Sequence, residues 1–326
     1  MKELTRTGDR VFLSWLLARL AEEGIEPFVF DSHTYDAFPG VLDAIPRRVM
    51  VADGDHWRAV LILEQAGEGR QGPGREVNMA LSRDALLGGK VVFSQPRKGY
   101  RVAIDPVLLA AAVPAGAADT VLDAGSGAGA AALCLAARVP GVRVRGLEVQ
   151  AELARLAQQN AEVNGLDDRV VFCAGDILAP PSDFSPESFD HVIANPPHLE
   201  AARANPSPDP GKAMANIEGQ AGLGQWIDFC LRMVRPGGSV TLIHRVDRLD
   251  ELLDRLAAGP GGAGSIVVFP LWPGGAGKPA KRIIVHGIQG SQKPMRQSPG
   301  LILHRADGGY TPEAEAVLRE GQALEM

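Results

Sequence analysis

Apolar residues recur at helical spacing near the start of the chain, at Val11, Leu13, Leu16, Leu17 and Leu20. The spacing predicts a helix that Asp9 can cap and that ends at Gly24. Lys2 to Thr5, Ile25 to Phe30 and Arg48 to Ala52 read as strands, and His56 to Gln65 as a second helix. The order βαββα predicts helices packed on one face of a small sheet. Ala66 to Gly74, AGEGRQGPG, is rich in glycine and polar residues and marks a linker. The chain therefore divides into a small α+β domain over residues 1–68, a linker over 69–79 and a large domain over 80–326.

In the large domain the two periods alternate. Strands are expected at Asp119 to Ala124, Val142 to Leu147, Val170 to Cys173, His191 to Ala194 and Ser239 to His244. Helices are expected up to Ala137, from Ala151 to Asn164, near Leu223 to Val234 and from Leu249 to Ala257. Alternation of this kind forces crossover connections, hence a mainly parallel α/β sheet covered on both faces. Ile266 to Leu271 and Arg282 to His286 can pair as an antiparallel hairpin at the sheet edge.

With 45% apolar and 22% charged residues, the composition is that of an ordinary globular protein. Cys134, Cys173 and Cys230 each sit alone in an apolar run, which marks them as reduced core residues. The N-terminal MKELTRTGDR has no apolar signal region, and the longest apolar stretch, around Val107 to Val113, is too short to span a bilayer. A cytoplasmic protein with no membrane contact is expected. None of the histidines forms a metal-ligand spacing such as H-E-x-x-H, and no metal is expected. The net charge of −6 argues against a protein that coats nucleic acid. From Arg255 to Ala306, however, there is no Asp or Glu, while Arg255, Lys278, Lys281, Arg282, Lys293, Arg296 and Arg305 all lie there. A basic stripe on an acidic protein suits a face that meets RNA.

VLDAGSGAG, Val121 to Gly129, sets Gly125, Gly127 and Gly129 directly after a strand and before a helix, with Ser126 between them. Glycines let such a turn pass close to a ligand and present N–H groups to it. Alone, the turn would equally fit a dinucleotide. Glu148 ends the next strand, where a carboxylate can accept both ribose hydroxyls, and Asp176 lies just beyond the third strand, where it can accept an adenine amino group. With Asp123 ahead of the glycines, this spacing resembles class I S-adenosylmethionine-dependent methyltransferases. The resemblance implies a Rossmann-like, mainly parallel seven-stranded sheet with an antiparallel edge hairpin, and S-adenosylmethionine as cofactor with S-adenosylhomocysteine as product.

The sharpest motif is IANPPH, Ile193 to His198, at the end of the fourth strand, since ligands of this fold gather outside the carboxyl ends of the strands. An amino group conjugated with a ring is a poor nucleophile. Acceptors for both of its N–H groups, the Asn195 side chain and the Pro196 carbonyl, favour pyramidalisation as the nitrogen attacks a methyl group, which needs positioning more than a strong base. Pro197 completes the turn. Methyltransferases with this motif usually carry Tyr or Phe in the next position, where the ring stacks on the target base. Here His198 fills that slot with a smaller ring whose charge depends on pH.

FSQPRKGYRVAIDPVLLAAAVP, PSPDPGKAMANIEGQAGL, RPGGSVTLIH, KPAKRIIVHG and GGYTPEAEAVL together resemble bacterial enzymes that methylate adenine N6 in valine tRNA beside the anticodon. The resemblance implies a tRNA substrate, roles for Tyr100 and Asp105 in closing the cofactor site, and contact of Lys278, Lys281 and Arg282 with RNA phosphates. Without it, Tyr100 is a packed ring, Asp105 a helix cap and the three cations a soluble loop. LTRTGDRVFLSWLLARLAEEGIEPFVFD and IPRRVMVADGDHWRA resemble a small bacterial, signal-transducing-like family of unknown function, here expected to bind an accessory partner. Glutamine-N5 methylation of release factors also uses an NPP turn and is the main alternative, followed by DNA adenine or ribosomal guanine methylation. A non-catalytic relative that only binds cofactor and RNA is the alternative from another class. A nicotinamide dehydrogenase lacks any role for NPP at this strand end.

Overall fold

The computed structural model describes residues 1–7, 10–30, 47–56, 58–59, 62, 81–97, 101–197, 221–258, 261–274 and 278–326. They fall into two units, Met1–Asn78 and Met79–Met326. In the first, β1 (Lys2–Thr7), α1 (Arg10–Glu22), β2 (Phe28–Phe30) and β3 (Arg47–Val51) form an antiparallel sheet of order β1-β3-β2 with its helix. Leu13, Leu16 and Leu20 bury one stripe of α1 with Val49 and Val51, and Ala59 and Ile62 join that core. Of the second helix expected here, residues 56, 58, 59 and 62 are described, and they are helical. The expected linker lies outside the described residues.

The second unit opens on β4 (Leu81–Leu86) and β5 (Val91–Pro96), then α2 (Asp105–Ala111), β6 (Thr120–Ala124), α3 (Ala130–Arg138) and β7 (Arg143–Glu148). It continues through α4 (Ala151–Val163), β8 (Val170–Ala174), β9 (Phe189–Ala194), α5 (Leu223–Met233), β10 (Val234–Arg245) and α6 (Leu249–Ala257). β11 (Ala263–Trp272), β12 (Arg282–Gln289), two short strands, β13 (Arg296–Gln297) and β14 (Leu301–Ile302), and α7 (Pro312–Glu315) complete it. Seven long strands run in the order β8-β7-β6-β9-β10-β12-β11, with β13 and β14 on the outer edge of β11. The first five are parallel. β12 runs antiparallel between β10 and β11. The expected edge hairpin is therefore present, with its second strand on the inside.

Side-chain alternation divides the core between the two faces. Ile193, Ile243 and Ile284 face the side covered by α2, α3 and α4. Val192, Ala194, Val240, Leu242, Ile283 and Val285 face α5 and α6. α3 has seven successive buried residues beginning at Ala130, mostly alanine, which lets it lie close to the sheet.

The β4–β5 hairpin was not expected from the sequence. The edge of β5 that β4 leaves open is met by side-chain amides of α4. Asn160 accepts the Ser94 N–H and donates to its carbonyl at 2.9 Å each, and Asn164 does the same for Val92 at 2.8 and 2.7 Å. Residues near 320 close on the same hairpin and on α2: Lys90 Nζ donates to the Glu320 carbonyl at 2.6 Å, and the Leu324 N–H to that of Ala111 at 2.8 Å. Gly88, at φ 65°, faces the Arg319 carbonyl so closely that a Cβ would lie 2.7 Å from its oxygen.

The three cysteines are free, Cys134 and Cys230 buried and Cys173 half-buried. Among the described residues no helix is long and apolar enough to cross a membrane, and no cluster of His, Cys, Asp or Glu could hold a metal.

Candidate active site

β6 and β9 are hydrogen-bonded neighbours, with Ala124 paired to Ala194 at their carboxyl ends. The glycine turn and the NPP turn thus leave the sheet side by side. Gly125, Gly127 and Gly129 all adopt positive φ, at 70°, 55° and 91°, a region that side chains rarely enter. Two of them also lack room for a side chain. A Cβ on Gly125 would lie 2.4 Å from the Trp226 ring, and one on Gly129 2.7 Å from Phe172. Gly127 faces open space, and its N–H donates to Glu148 Oε2 at 2.9 Å.

Glu148 also accepts the Gln150 N–H at 2.9 Å on its other oxygen. Burial raises its pKa and these N–H donors oppose the rise. Asp123 lies deeper, 3% exposed, with Oδ2 accepting the Ala132 N–H of α3 at 3.3 Å. Burial pushes its carboxyl up to about 7, a rise the Ala132 N–H resists and the Glu148 charge assists. Asp176 is half-buried after β8, and its Oδ1 accepts the Leu178 N–H at 2.9 Å.

Among the described residues, Asn195 Oδ1, Ser126 Oγ and Trp226 Nε1 are buried at this end of the sheet without a hydrogen-bond partner. Orphaned polar atoms of this kind are costly and mark places where a ligand belongs. Pro196 is buried and Pro197 half-buried. The Pro197 carbonyl receives His244 Nε2, from the end of β10, at 3.2 Å. His198 and Tyr100 lie outside the described residues.

Asp105 and Arg282 meet. Arg282 Nε donates to Asp105 Oδ2 at 3.1 Å, joining the start of α2 to the start of β12. Arg282 pairs in register with Arg245, next to His244, so this ion pair stands at the same edge of the sheet as the NPP turn. Lys278 and Lys281 are exposed. The basic stripe is partly neutralised by acids outside it, since Arg255 is paired with Asp228 from another helix and Arg305 with Asp307 just beyond the stripe.

Trp226 and His244 had no role in the reading of the sequence. Trp226 sits in an amphipathic helix, where an aromatic ring reads as core, and His244 in an apolar strand. Each acquires its position only through tertiary contact with a turn far from it in the chain.

A family model described as "Methyltransferase domain" matches residues 116–255, and one described as "Putative prokaryotic signal transducing protein" matches residues 1–67. A tRNA1(Val) (adenine(37)-N6)-methyltransferase of Porphyromonas gingivalis is 33% identical over 65% of this chain and 85% of its own length. A release factor glutamine methyltransferase of Chlorobaculum tepidum is 33% identical over 29% of this chain and 33% of its own. The crystal structure of a predicted O-methyltransferase from Agrobacterium tumefaciens superposes with a TM-score of 0.56 at 26% identity, covering 68% of this chain and 98% of that one.

Proposed function

The chain belongs to the family of bacterial tRNA1(Val) (adenine(37)-N6)-methyltransferases, and from that membership we propose that it methylates N6 of an adenine next to the anticodon of a tRNA, with S-adenosylmethionine as donor. The observation that carries this reading is the buried, partnerless Asn195 Oδ1, set beside the glycine turn by the pairing of β9 with β6.

The residues at this edge fit the cofactor. Gly127 leaves open space where the glycine turn faces outward, and Ser126 Oγ and Trp226 Nε1 are buried donors without acceptors. Glu148 has one N–H on each oxygen and retains lone pairs for a pair of ribose hydroxyls. Asp176 would accept the adenine amino group, Asp123 would support the loop through α3, and Tyr100 and Asp105 would close the site. The cofactor supplies an electrophilic methyl group on sulfonium sulfur.

The protein's own part is then orientation. Asn195 Oδ1 and the Pro196 carbonyl take up the two N–H groups of the exocyclic amine, which localises its lone pair and aims it. His198 would stack on the base. Lys278, Lys281 and Arg282 would hold RNA phosphates. The small unit would serve as an accessory that binds a partner or positions RNA; unchanged tRNA affinity, activity and assembly after removal of residues 1–78 would rule that out.

The decisive measurement is mass spectrometry of nucleosides after the purified protein and S-adenosylmethionine are incubated with bulk tRNA from a strain lacking the gene. N6-methyladenosine is the expected product. Its absence, together with methylation of glutamine in a release factor, would move the protein to the amide-methylating class.

A further inference from the structure

Asn195, Pro196 and Pro197 contain a single backbone N–H among them, because proline has none. The two prolines of the turn cannot take part as donors in a strand ladder or close a hydrogen-bonded turn of their own. Beyond the one N–H of Asn195, the backbone of the turn can be tied down only through its carbonyls, and their donor must come from elsewhere in the protein. His244 meets that need. Leu242 pairs with Ala194 in the parallel ladder, so His244, two residues further on, runs alongside the stretch where β9 has already given way to the prolines. Its side chain is fully buried, and Nε2 lies 3.2 Å from the Pro197 carbonyl oxygen.

We propose that His244 is a positioning residue, which locks the NPP turn by donating its Nε2–H to the Pro197 carbonyl. A carbonyl accepts only, so Nε2 carries the proton, and this ring orientation fixes the tautomer. The Pro197 carbonyl belongs to the peptide plane from which residue 198 leaves. Holding it therefore limits drift of the Asn195 and Pro196 acceptors before it. The side chain acts through the Pro197 carbonyl, so its effect is expected on the transfer step, with cofactor binding left in place. The kinetic side of this inference rests on the tRNA-methylating reading; the hydrogen bond itself does not.

Two variants and one spectrum test it in the full-length protein. His244→Phe keeps a ring of similar size and removes the donor. His244→Gln places an amide N–H near the position of Nε2. On tRNA, His244→Phe should lower kcat on the order of 10- to 100-fold with the KM for S-adenosylmethionine changed less than about threefold, and His244→Gln should recover most of the loss. In 15N-histidine-labelled protein without RNA, the His244 ring should show a slowly exchanging Nε2–H in the wild type and no such signal in either variant. A fast-exchanging ring or a proton on Nδ1 would overturn the proposal. So would a His244→Phe protein with wild-type kcat, or equal losses in the two variants. A wild-type protein that shows the protected Nε2–H but methylates no tRNA would count against the functional reading and leave the clamp standing.

Discussion

Arg282 and Asp105 stand 177 positions apart in the chain and join in an ion pair of 3.1 Å. Sequence reasoning assigned one to RNA and the other to the cofactor site; in the fold each is the other's partner. A guanidinium already facing a carboxylate has less to gain from a phosphate than an exposed ammonium. Replacing Lys278 or Lys281 by Ala should each reduce the slope of log affinity against log salt for tRNA by about 1. Arg282→Ala should reduce it by clearly less, because Asp105 has neutralised it in the free protein. Filter binding across a salt series measures all three, and equal slopes for Arg282→Ala and Lys281→Ala would show that RNA draws Arg282 away from its partner.

Asn195→Ala removes the orphaned acceptor without touching the glycine turn. Transfer should fall on the order of 10²- to 10³-fold, while calorimetry with S-adenosylhomocysteine should return nearly the wild-type dissociation constant. Equal loss of both would mean that the turn belongs to the cofactor site alone.

Asp123 provides a test by pH. Burial lifts its folded pKa from 3.8 to about 7, so between these values the folded protein binds a proton that the unfolded chain has released. The protonated carboxyl is therefore tolerated at low pH, and stability is lost as pH rises towards and through about 7. Asp123→Asn cannot ionise. The unfolding temperature of the Asn variant, taken relative to the wild type, should rise between pH 4.5 and 7.5 and then level off. A difference that stayed flat with pH would place the Asp123 pKa near its ordinary value.

Asn160 holds β5 by both of its amide groups and also donates to the Ala128 carbonyl at 3.0 Å, just ahead of α3. It is 3% exposed. Truncation to Ala leaves two carbonyls and one N–H without partners, and should cost roughly 2–4 kcal/mol in urea unfolding. A loss below about 0.5 kcal/mol would show that the hairpin is held mainly by its apolar face.

The parts of this protein that could be read from the chain are those whose signal is local. VLDAGSGAG and IANPPH carry their geometry in consecutive residues, and strand–helix alternation makes β6, β7 and β8 parallel without reference to anything distant. The β4–β5 hairpin carries no such signal, because its edge is satisfied by amides 66 and 72 positions away. The charge balance of the basic stripe was hidden for the same reason. A run without Asp or Glu looks unbalanced until Asp105 and Asp228, brought in from other elements, occupy Arg282 and Arg255. His244 is the extreme case, a polar residue in an apolar strand whose meaning depends on two prolines that cannot donate.

The hairpin also has a consequence for how the protein is made. β4 and β5 emerge early in synthesis of the catalytic unit, yet Lys90 waits for Glu320 and Ala111 for Leu324. The amides of α4 arrive sooner and can shield the β5 edge in the meantime. Until residues 320 to 324 leave the ribosome, the early half of the unit is held by its own asparagines, and a chain that stalls before them should be released with this corner unsealed and prone to pair with its neighbours.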